Sequence, residues 1–249
     1  MVVRVPSGIY GLDELIEGGF PEKRNILISG ACGTGKSIFC VQYLYKGAVD
    51  YGEPGIFVTF DEPPYKIRED MVKFGWDLKA LEKSGDLKIV DASVTRMGMV
   101  SEEKTSLTPG IFDFDQIALE IMKIIRESRA KRIAIDSLPA MALHLKDSAD
   151  IRRAMFKLSL LLSKAEVTAL LTSEIPEQSL STGQAMSFSK YGVEEYIVDG
   201  VLLLNYLGVG SQATRTMYIR KMRATEHSSD IHPMEITNKG IVIKKVEEY

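Results

Sequence analysis

A glycine-rich stretch of the sequence has the residue types and the spacing that bind nucleotide phosphates. Eight consecutive residues fit the pattern G-x-x-x-x-G-K-[ST], and they are Gly30, Ala31, Cys32, Gly33, Thr34, Gly35, Lys36 and Ser37. In such a loop, glycines let successive backbone N–H groups point at phosphate oxygens, and the helix that follows adds the positive end of its dipole. We expect Lys36 to bridge the β- and γ-phosphates of ATP and Ser37 to ligate Mg²⁺.

Carboxylates at the ends of predicted strands are candidates for the rest of this site. Asp136 ends a short apolar run, where a P-loop protein carries the carboxylate of its magnesium site, known as the Walker B residue; the alternative is a strand cap. Asp61 and Glu62 follow another predicted strand, and open α/β sheets bind ligands at such strand ends. We prefer Glu62 as the base that activates water, with two ordinary surface carboxylates as the alternative. Residues 172–174 either sense the γ-phosphate or simply end their strand.

A mainly parallel sheet is needed to bring these residues together, and the apolar pattern predicts one. Runs rich in Val, Ile and Leu alternate with segments of helical period, which is typical of a sheet covered by helices. The predicted parallel strands are 25–29, 55–60, 87–92, 132–137 and 167–172. The predicted helices are 36–50, a segment after the Pro-Pro pair at 63–64, 113–129 and 150–164. The C-terminal strands are 198–205, 214–223, 234–237 and 241–246, with a hairpin turn at 238–240.

The composition is that of an ordinary globular protein. Of 249 residues, 45% are hydrophobic and 26% charged, and 31 basic against 34 acidic residues give a net charge of −3. This balance excludes a disordered chain and gives no bulk positive charge for nucleic acid or a membrane surface. Two cysteines and the absence of an apolar run of about 18 residues favour a cytoplasmic protein. We expect one domain over 1–249, a lead-in segment at 1–24 followed by a nucleotide-binding core at 25–249.

Four segments besides the phosphate-binding loop resemble a known family. They are SGIYGLDELIEGGFP at 7–21, FVTFDE at 57–62, YGVEEY at 191–196 and KMRATEH at 221–227. On these segments the chain is similar to the RecA-like ATPases, in particular to single-domain relatives of the circadian clock protein KaiC. The resemblance implies a RecA-like P-loop core with C-terminal antiparallel strands, ATP and Mg²⁺ as ligands, and a homohexameric ring that holds nucleotide between subunits.

The resemblance also assigns roles to residues outside the loop. Lys221 and Arg223 match a pair that reaches the γ-phosphate of the neighbouring subunit's nucleotide. Such a cation would stabilise charge on the transferring phosphoryl group and make hydrolysis depend on assembly. The flanking positions that can also contact phosphate are Thr225 and His227, and the positions near the nucleotide base are Ser93 and Asn238.

Two departures from the family pattern matter. The usual Glu-Glu pair is Asp61-Glu62 here, and the shorter Asp61 makes Glu62 the better placed base while their division of labour stays open. Lys221 and Arg223 are the finger residues that would reach the neighbouring subunit. In the family a glycine usually follows the finger arginine, and here Ala224 takes that position. KaiC itself carries two such domains and 249 residues allow only one, so a clock or autokinase role does not carry over.

Other functions stay open beside a ring ATPase with an unknown protein client. A recombinase-like protein would bind DNA through two irregular loops, 93–112 and 175–192. Their basic residues are only Arg96, Lys104 and Lys190, so nucleic acid is not favoured as a partner. A P-loop kinase would need an arginine-rich lid, which the sequence lacks. A regulatory nucleotide-binding module with little turnover differs from the ATPase only in rate.

Overall fold

A nine-stranded sheet organises the chain. The computed structural model describes residues 2–98, 100–111, 113–175, 188–209 and 212–245. The strands of the sheet are β3 (Asn25–Gly30), β4 (Gly55–Thr59), β5 (Leu87–Asp91), β6 (Arg132–Asp136), β7 (Thr168–Glu174), β8 (Gly200–Val209), β9 (Gln212–Met222), β10 (Ile231–Thr237) and β11 (Gly240–Ile243). Two further short strands, β1 (Arg4–Val5) and β2 (Phe20–Pro21), pair with each other in the lead-in segment.

The sheet is parallel in one part and antiparallel in the other. Its order is β11-β10-β9-β8-β3-β7-β6-β4-β5. The six strands from β8 to β5 run parallel, while β9, β10 and β11 pair antiparallel with their neighbours. The predicted fold class, a mainly parallel sheet flanked by helices with C-terminal antiparallel strands, is therefore confirmed.

Helices cover both faces of the sheet. They are α1 (Lys36–Tyr51), α2 (Pro64–Val72), α3 (Leu78–Ser84), α4 (Val94–Met97), α5 (Phe114–Ser128), α6 (Leu138–Met141), α7 (Ser148–Lys164) and α8 (Glu194–Ile197). Because side chains alternate along a strand, Leu27 of β3 packs in a cluster with α5 and α7, whereas Ile26 and Ile28 pack in a second cluster with α1. The buried apolar residues on both faces of β3 make it a rigid base for the loop that follows.

A fully buried arginine joins the lead-in segment to the core. The Arg132 side chain donates hydrogen bonds to the carbonyl oxygens of Pro6 at 2.9 Å and Tyr43 at 3.0 Å, and it pairs with Glu53 at 2.6 Å. A buried charge costs free energy unless it is paired and hydrogen-bonded, and these contacts supply both. The lead-in segment therefore packs on α1 and β6.

Most differences from the predicted elements concern short helices. The segment 93–112 was expected to lack regular structure, and it contains α4. Neither α3 nor α6 was predicted, since each has too few residues to show a helical period and begins at a capping side chain, Asp77 or Ser137. Residues 176–187 of the second predicted loop lie outside the described residues. Within the part of the chain that the structure describes, no helix is both long enough and apolar enough to cross a membrane.

Candidate nucleotide site

The glycine-rich loop joins the end of β3 directly to the start of α1. A side chain at Gly30 would place its Cβ 2.3 Å from the carbonyl oxygen of Leu204 on β8, so only glycine fits this position. Gly33 and Gly35 have φ angles of 75° and 104°, in the left-handed region that favours glycine. The loop therefore has the bend that turns backbone N–H groups inward at the beginning of a 16-residue helix.

The Lys36 ammonium group lies inside the curve of this loop. Its Nζ donates hydrogen bonds to the carbonyl oxygens of Gly30 at 2.9 Å and Ala31 at 3.0 Å. Burial lowers the pKa of Lys36, and the nearby carboxylates of Asp136 and Glu174 act in the opposite direction. An anion entering the loop would meet a cation that is already desolvated and held by neutral carbonyls, which strengthens its attraction for phosphate.

A carboxylate and two hydroxyl groups meet beside the first turn of α1. Asp136, at the end of β6, accepts a hydrogen bond from Ser37 Oγ at 2.6 Å and another from Thr172 Oγ1 at 2.5 Å. Burial raises the pKa of Asp136, and these two hydrogen bonds partly offset the increase. Thr172 thus positions the Asp136 carboxylate, a role that differs from both sensing the γ-phosphate and simply ending its strand.

The donor set beside α1 fits magnesium. Mg²⁺ prefers hard oxygen ligands and in nucleotide sites takes one or two from the protein, the others coming from phosphate and water. Ser37 Oγ and the Asp136 carboxylate are such ligands, and they are already in contact. Among the described residues, no cluster of three or more His, Cys, Asp and Glu side chains is arranged to hold a metal ion. A magnesium ion here would therefore need the phosphates of a nucleotide as well.

Asp61 and Glu62 stand at the end of β4, next to Asp136, and their surroundings differ. Asp61 accepts a hydrogen bond from Ser137 Oγ at 2.9 Å. No described residue donates a hydrogen bond to the Glu62 carboxylate. The backbone of Glu62 is held by Thr59, whose hydroxyl donates a hydrogen bond to the Glu62 carbonyl oxygen at 2.6 Å. Partial burial raises the pKa of Glu62, and the negative charges of Asp70 and Asp136 raise it further. Glu62 therefore has the environment of a proton acceptor, while Asp61 is held in place.

Tyr206 is a contact of the loop that the sequence did not reveal. Its hydroxyl donates a hydrogen bond to the carbonyl oxygen of Gly33 at 2.7 Å. Arg215, opposite Tyr206 in the β8–β9 register, places its guanidinium carbon 5.0 Å from the centre of the tyrosine ring. The two residues come from strands far along the chain, so no local pattern links them to the loop. Only the order of the strands brings them there.

Lys221 and Arg223 lie at the other end of the sheet. Because β9 runs antiparallel to β8, Lys221 is paired with Val201 near the start of β8. Val201 in turn pairs with Leu27 of β3, three residues before Gly30, so Lys221 lies about 10 Å from the loop along the strands and two strand spacings, about 10 Å, to its side. These two cations are thus too far away to contact a phosphate in the loop of their own subunit.

The finger cations have partners within the chain. Lys221 Nζ donates hydrogen bonds to the carbonyl oxygens of Glu195 at 3.2 Å and Val198 at 2.6 Å. Arg223 forms an ion pair with Asp199 at 3.8 Å. Burial and the neighbouring Arg223 charge lower the pKa of Lys221. Both side chains also line a cleft that includes Phe188 and Tyr196.

The remaining residues predicted to contact the nucleotide lie at both ends of the parallel strands. Thr225 accepts a hydrogen bond from Arg4 at 2.6 Å and His227 contacts the Ser228 carbonyl, both near Arg223. Ser93 is buried beyond β5, four strands from β3, where it donates to Asp91 at 2.6 Å. Asn238 lies in the turn between β10 and β11, on the same edge as the loop. Asn238 and Ser93 thus both lie at the end of the sheet that carries the loop, but Ser93 is four strands to the side of β3.

Comparisons with known proteins agree on the family. The profile of the family described as "ATPase: KaiC" matches residues 5–248. A UPF0273 protein of Methanocaldococcus jannaschii is 40% identical over 240 residues, which make up 96% of this chain and 96% of that protein. The circadian clock oscillator protein KaiC of Parathermosynechococcus lividus is 39% identical over 237 residues, which make up 95% of this chain and 41% of that protein.

A solved structure extends the similarity to three dimensions. The crystal structure of the KaiC-like protein PH0186 from the archaeon Pyrococcus horikoshii superposes with a TM-score of 0.83 at 39% sequence identity. The match covers 98% of this chain and 100% of the other. The sheet described above is therefore the RecA-like sheet of KaiC-type proteins, as the resemblance in the sequence implied.

Proposed function

This chain belongs to the KaiC-like ATPase family, and from that premise we propose that it hydrolyses ATP with Mg²⁺ at the subunit interfaces of a homohexameric ring. The observation that carries the proposal is the cluster at the carboxyl-terminal ends of the parallel strands, which we call the carboxyl edge of the sheet. There Lys36 fills the phosphate-binding loop, Ser37 contacts Asp136, and Glu62 stands beside them with no hydrogen-bond donor among the described residues.

The proposed reaction is the hydrolysis of the terminal phosphoanhydride bond. The oxygen of water bonds to the γ-phosphorus, and the bond from that phosphorus to the bridging oxygen breaks, so that ADP and phosphate form. Glu62 accepts the proton of the attacking water, and Lys36 leaves the loop carbonyls for the β- and γ-phosphates. Ser37 and Asp136 would hold Mg²⁺, which would supply neutralisation of phosphate charge.

A second subunit is proposed to complete the site. The carboxyl edge holds one cation in its loop, and stabilising the transition state of phosphoryl transfer calls for a further positive charge opposite the γ-phosphate. Lys221 and Arg223 lie at the far edge of the same subunit, where a neighbouring copy could be contacted. We call the amino-terminal ends of the parallel strands, near Lys221 and Arg223, the amino edge. In a closed ring, head-to-tail contacts would place the amino edge of each subunit against the carboxyl edge of the next.

The direct experiment measures Mg²⁺-dependent phosphate release per subunit over a wide range of protein concentration. We expect the specific activity to rise with concentration and to be lost in Lys36→Ala, while light scattering with Mg-ATP shows an oligomer. The exposed change Lys123→Ala on α5 serves as a matched control and should leave activity unchanged. Turnover that persists in Lys36→Ala, or a protein that stays monomeric and fully active at tens of micromolar, contradicts the proposal.

The partner of this activity is proposed to be a protein client in the cytoplasm. The described part of the segment 93–112 supports a protein over nucleic acid, since Lys104 follows Glu102 and Glu103 and these three residues line a cleft with four basic and three acidic side chains. Mixed charge of this kind does not attract a phosphate backbone. Measuring phosphate release with and without single-stranded DNA separates the alternatives, because a recombinase-like enzyme would be stimulated.

A further inference from the structure

A buried carboxylate lies beneath the YGVEEY segment, which the proposed function leaves without a role. Glu194 is only 1% exposed. It accepts hydrogen bonds from Ser173 Oγ at 3.0 Å, Ser189 Oγ at 2.7 Å, the backbone N–H of Tyr191 at 3.3 Å and the backbone N–H of Val193 at 3.1 Å. Three of these donors serve Glu194 alone, the Ser189 hydroxyl is shared with the Glu195 carboxylate, and no described residue forms a salt bridge with Glu194.

Glu194 is also the first residue of α8, and backbone carbonyls of this one-turn helix and of the residue after it accept hydrogen bonds from Lys221. The Lys221 ammonium donates to the carbonyl oxygens of Glu195 and Val198, at the two ends of α8. Carbonyls in the last turn of a helix lack intrahelical partners and carry partial negative charge, so they are suitable acceptors for a cation. One face of α8 thus faces Ser173 on β7, and the other supports the finger lysine.

A helix of four residues has no stability of its own, because forming the first turn is unfavourable without tertiary contacts. The position of α8 must therefore come from what anchors it. Ile197 packs on the apolar core, and Glu194 is the side chain of α8 with the most hydrogen bonds, which join it to the strand β7 and to the backbone that leads into the helix. The carbonyls that hold Lys221 follow the position of this carboxylate.

We propose that Glu194 is a positioning residue for the Lys221 finger, acting through α8. The proposal rests on the proposed function, because Lys221 has a catalytic role only if it completes a neighbouring site. A glutamine at this position has one acceptor oxygen in place of two and adds an N–H₂ donor that would face other donors. We expect Glu194→Gln to shift α8 and misplace Lys221 without disturbing the loop around Lys36.

The experiment uses two inactive full-length variants that should restore each other. Lys36→Ala disables the loop and keeps the finger, whereas the double variant Lys221→Ala with Arg223→Ala disables the finger and keeps the loop. Mixed rings regain phosphate release if sites are completed in trans. Glu194→Gln is then added to one variant or to the other, and the activity of each mixture is compared with that of the parent mixture.

The proposal predicts an effect on one side only. Added to the finger-donating Lys36→Ala variant, Glu194→Gln should reduce the restored kcat about tenfold, since small misplacements of catalytic groups cost that much or more. Added to the variant that supplies the loop, it should change the rate less than about twofold and leave the KM for ATP unchanged. The exposed Glu127→Gln on α5 is the matched control and should have no effect on either side.

A milder variant covers the case in which Glu194→Gln does not fold. Ser189→Ala removes one donor to Glu194 and should show the same one-sided effect at a smaller size. Equal losses on both sides, or no loss on either, would overturn the role of Glu194. Failure of the parent mixture to regain activity would instead contradict the proposed function itself, so the two failures are distinguishable.

Discussion

The two edges of the sheet both carry cations, and they differ in what surrounds them. At the carboxyl edge, Lys36 is close to a carboxylate, Asp136, that is itself bound by Ser37. At the amino edge, Lys221 rests on backbone carbonyls beside the half-exposed Arg223. The first edge contains the parts proposed to bind a nucleotide, and the second holds two cations whose described partners are backbone carbonyls and Asp199. In the proposed ring, the two edges act together across two copies of the chain.

The largest expected effect comes from removing the cations of the amino edge. The double change Lys221→Ala with Arg223→Ala should lower kcat by about 10³-fold, as loss of a finger residue does in other phosphoryl-transfer enzymes. Binding of ATP should be nearly unchanged, because the loop that holds the phosphates is intact. Steady-state phosphate release and nucleotide titration measure the two quantities. A large loss of ATP affinity with kcat preserved would show that the amino edge does not supply a finger.

The second largest effect is expected from removing Glu62, the proposed general base at the carboxyl edge. Glu62→Gln should lower kcat by about 10²-fold, because a general base contributes on that order or more. The wild-type rate should fall as pH decreases through the pKa of Glu62, which burial and nearby carboxylates raise from its ordinary value, since only the ionised form accepts a proton. In Glu62→Gln this acidic limb should disappear from the pH profile of kcat. An equally large loss in Asp61→Asn, with Glu62→Gln near wild type, would reverse the assignment.

Tyr206→Phe tests the contact that holds the loop from β8. It removes one hydrogen bond to the Gly33 carbonyl and keeps the ring that packs on Arg215. A neutral hydrogen bond contributes about 1 kcal/mol, so ATP affinity should fall about fivefold. Assembly and the restoration of activity between variants should not change, because the amino edge is not involved. A phenylalanine variant with wild-type affinity would mean that the loop keeps its shape without this bond.

The smallest effect concerns the stability of the protein without nucleotide or metal. Burial raises the pKa of Asp136 above its unfolded value of 3.8, so the native state binds more protons at this group than the unfolded state does. Its contribution to stability is therefore greatest at low pH and decreases as pH rises through the folded pKa. Compared with Asp136→Asn, the wild-type melting temperature should fall by a few degrees from acidic to neutral pH in EDTA. A constant difference between the two proteins would contradict the raised pKa.

Local patterns in the sequence were enough to predict the sheet and the loop. The strands are uninterrupted apolar runs because helices cover both faces, and the loop is one contiguous motif whose glycines have a steric reason to be there. The pairing of Ser37 with Asp136 was also predictable, since parallel strands end at a common edge.

The missing parts depend on contacts between distant residues. The bond from Tyr206 to Gly33 joins residues 173 positions apart, and it exists only because β8 lies next to β3. The helix α8 is too short to show a period, and it forms where Glu194 meets donors from β7 and from its own loop. Neither feature has a signature in one stretch of sequence.

Mixing two inactive variants tests the central claim most directly. Lys36→Ala and the double variant Lys221→Ala with Arg223→Ala should each be inactive, and their equimolar mixture in Mg-ATP should release phosphate. With random assembly in a ring, about a quarter of the sites combine an intact loop with an intact finger, so about a quarter of the wild-type rate is expected. A mixture that stays inactive while both variants are folded and assembled would show that each subunit contains its whole site.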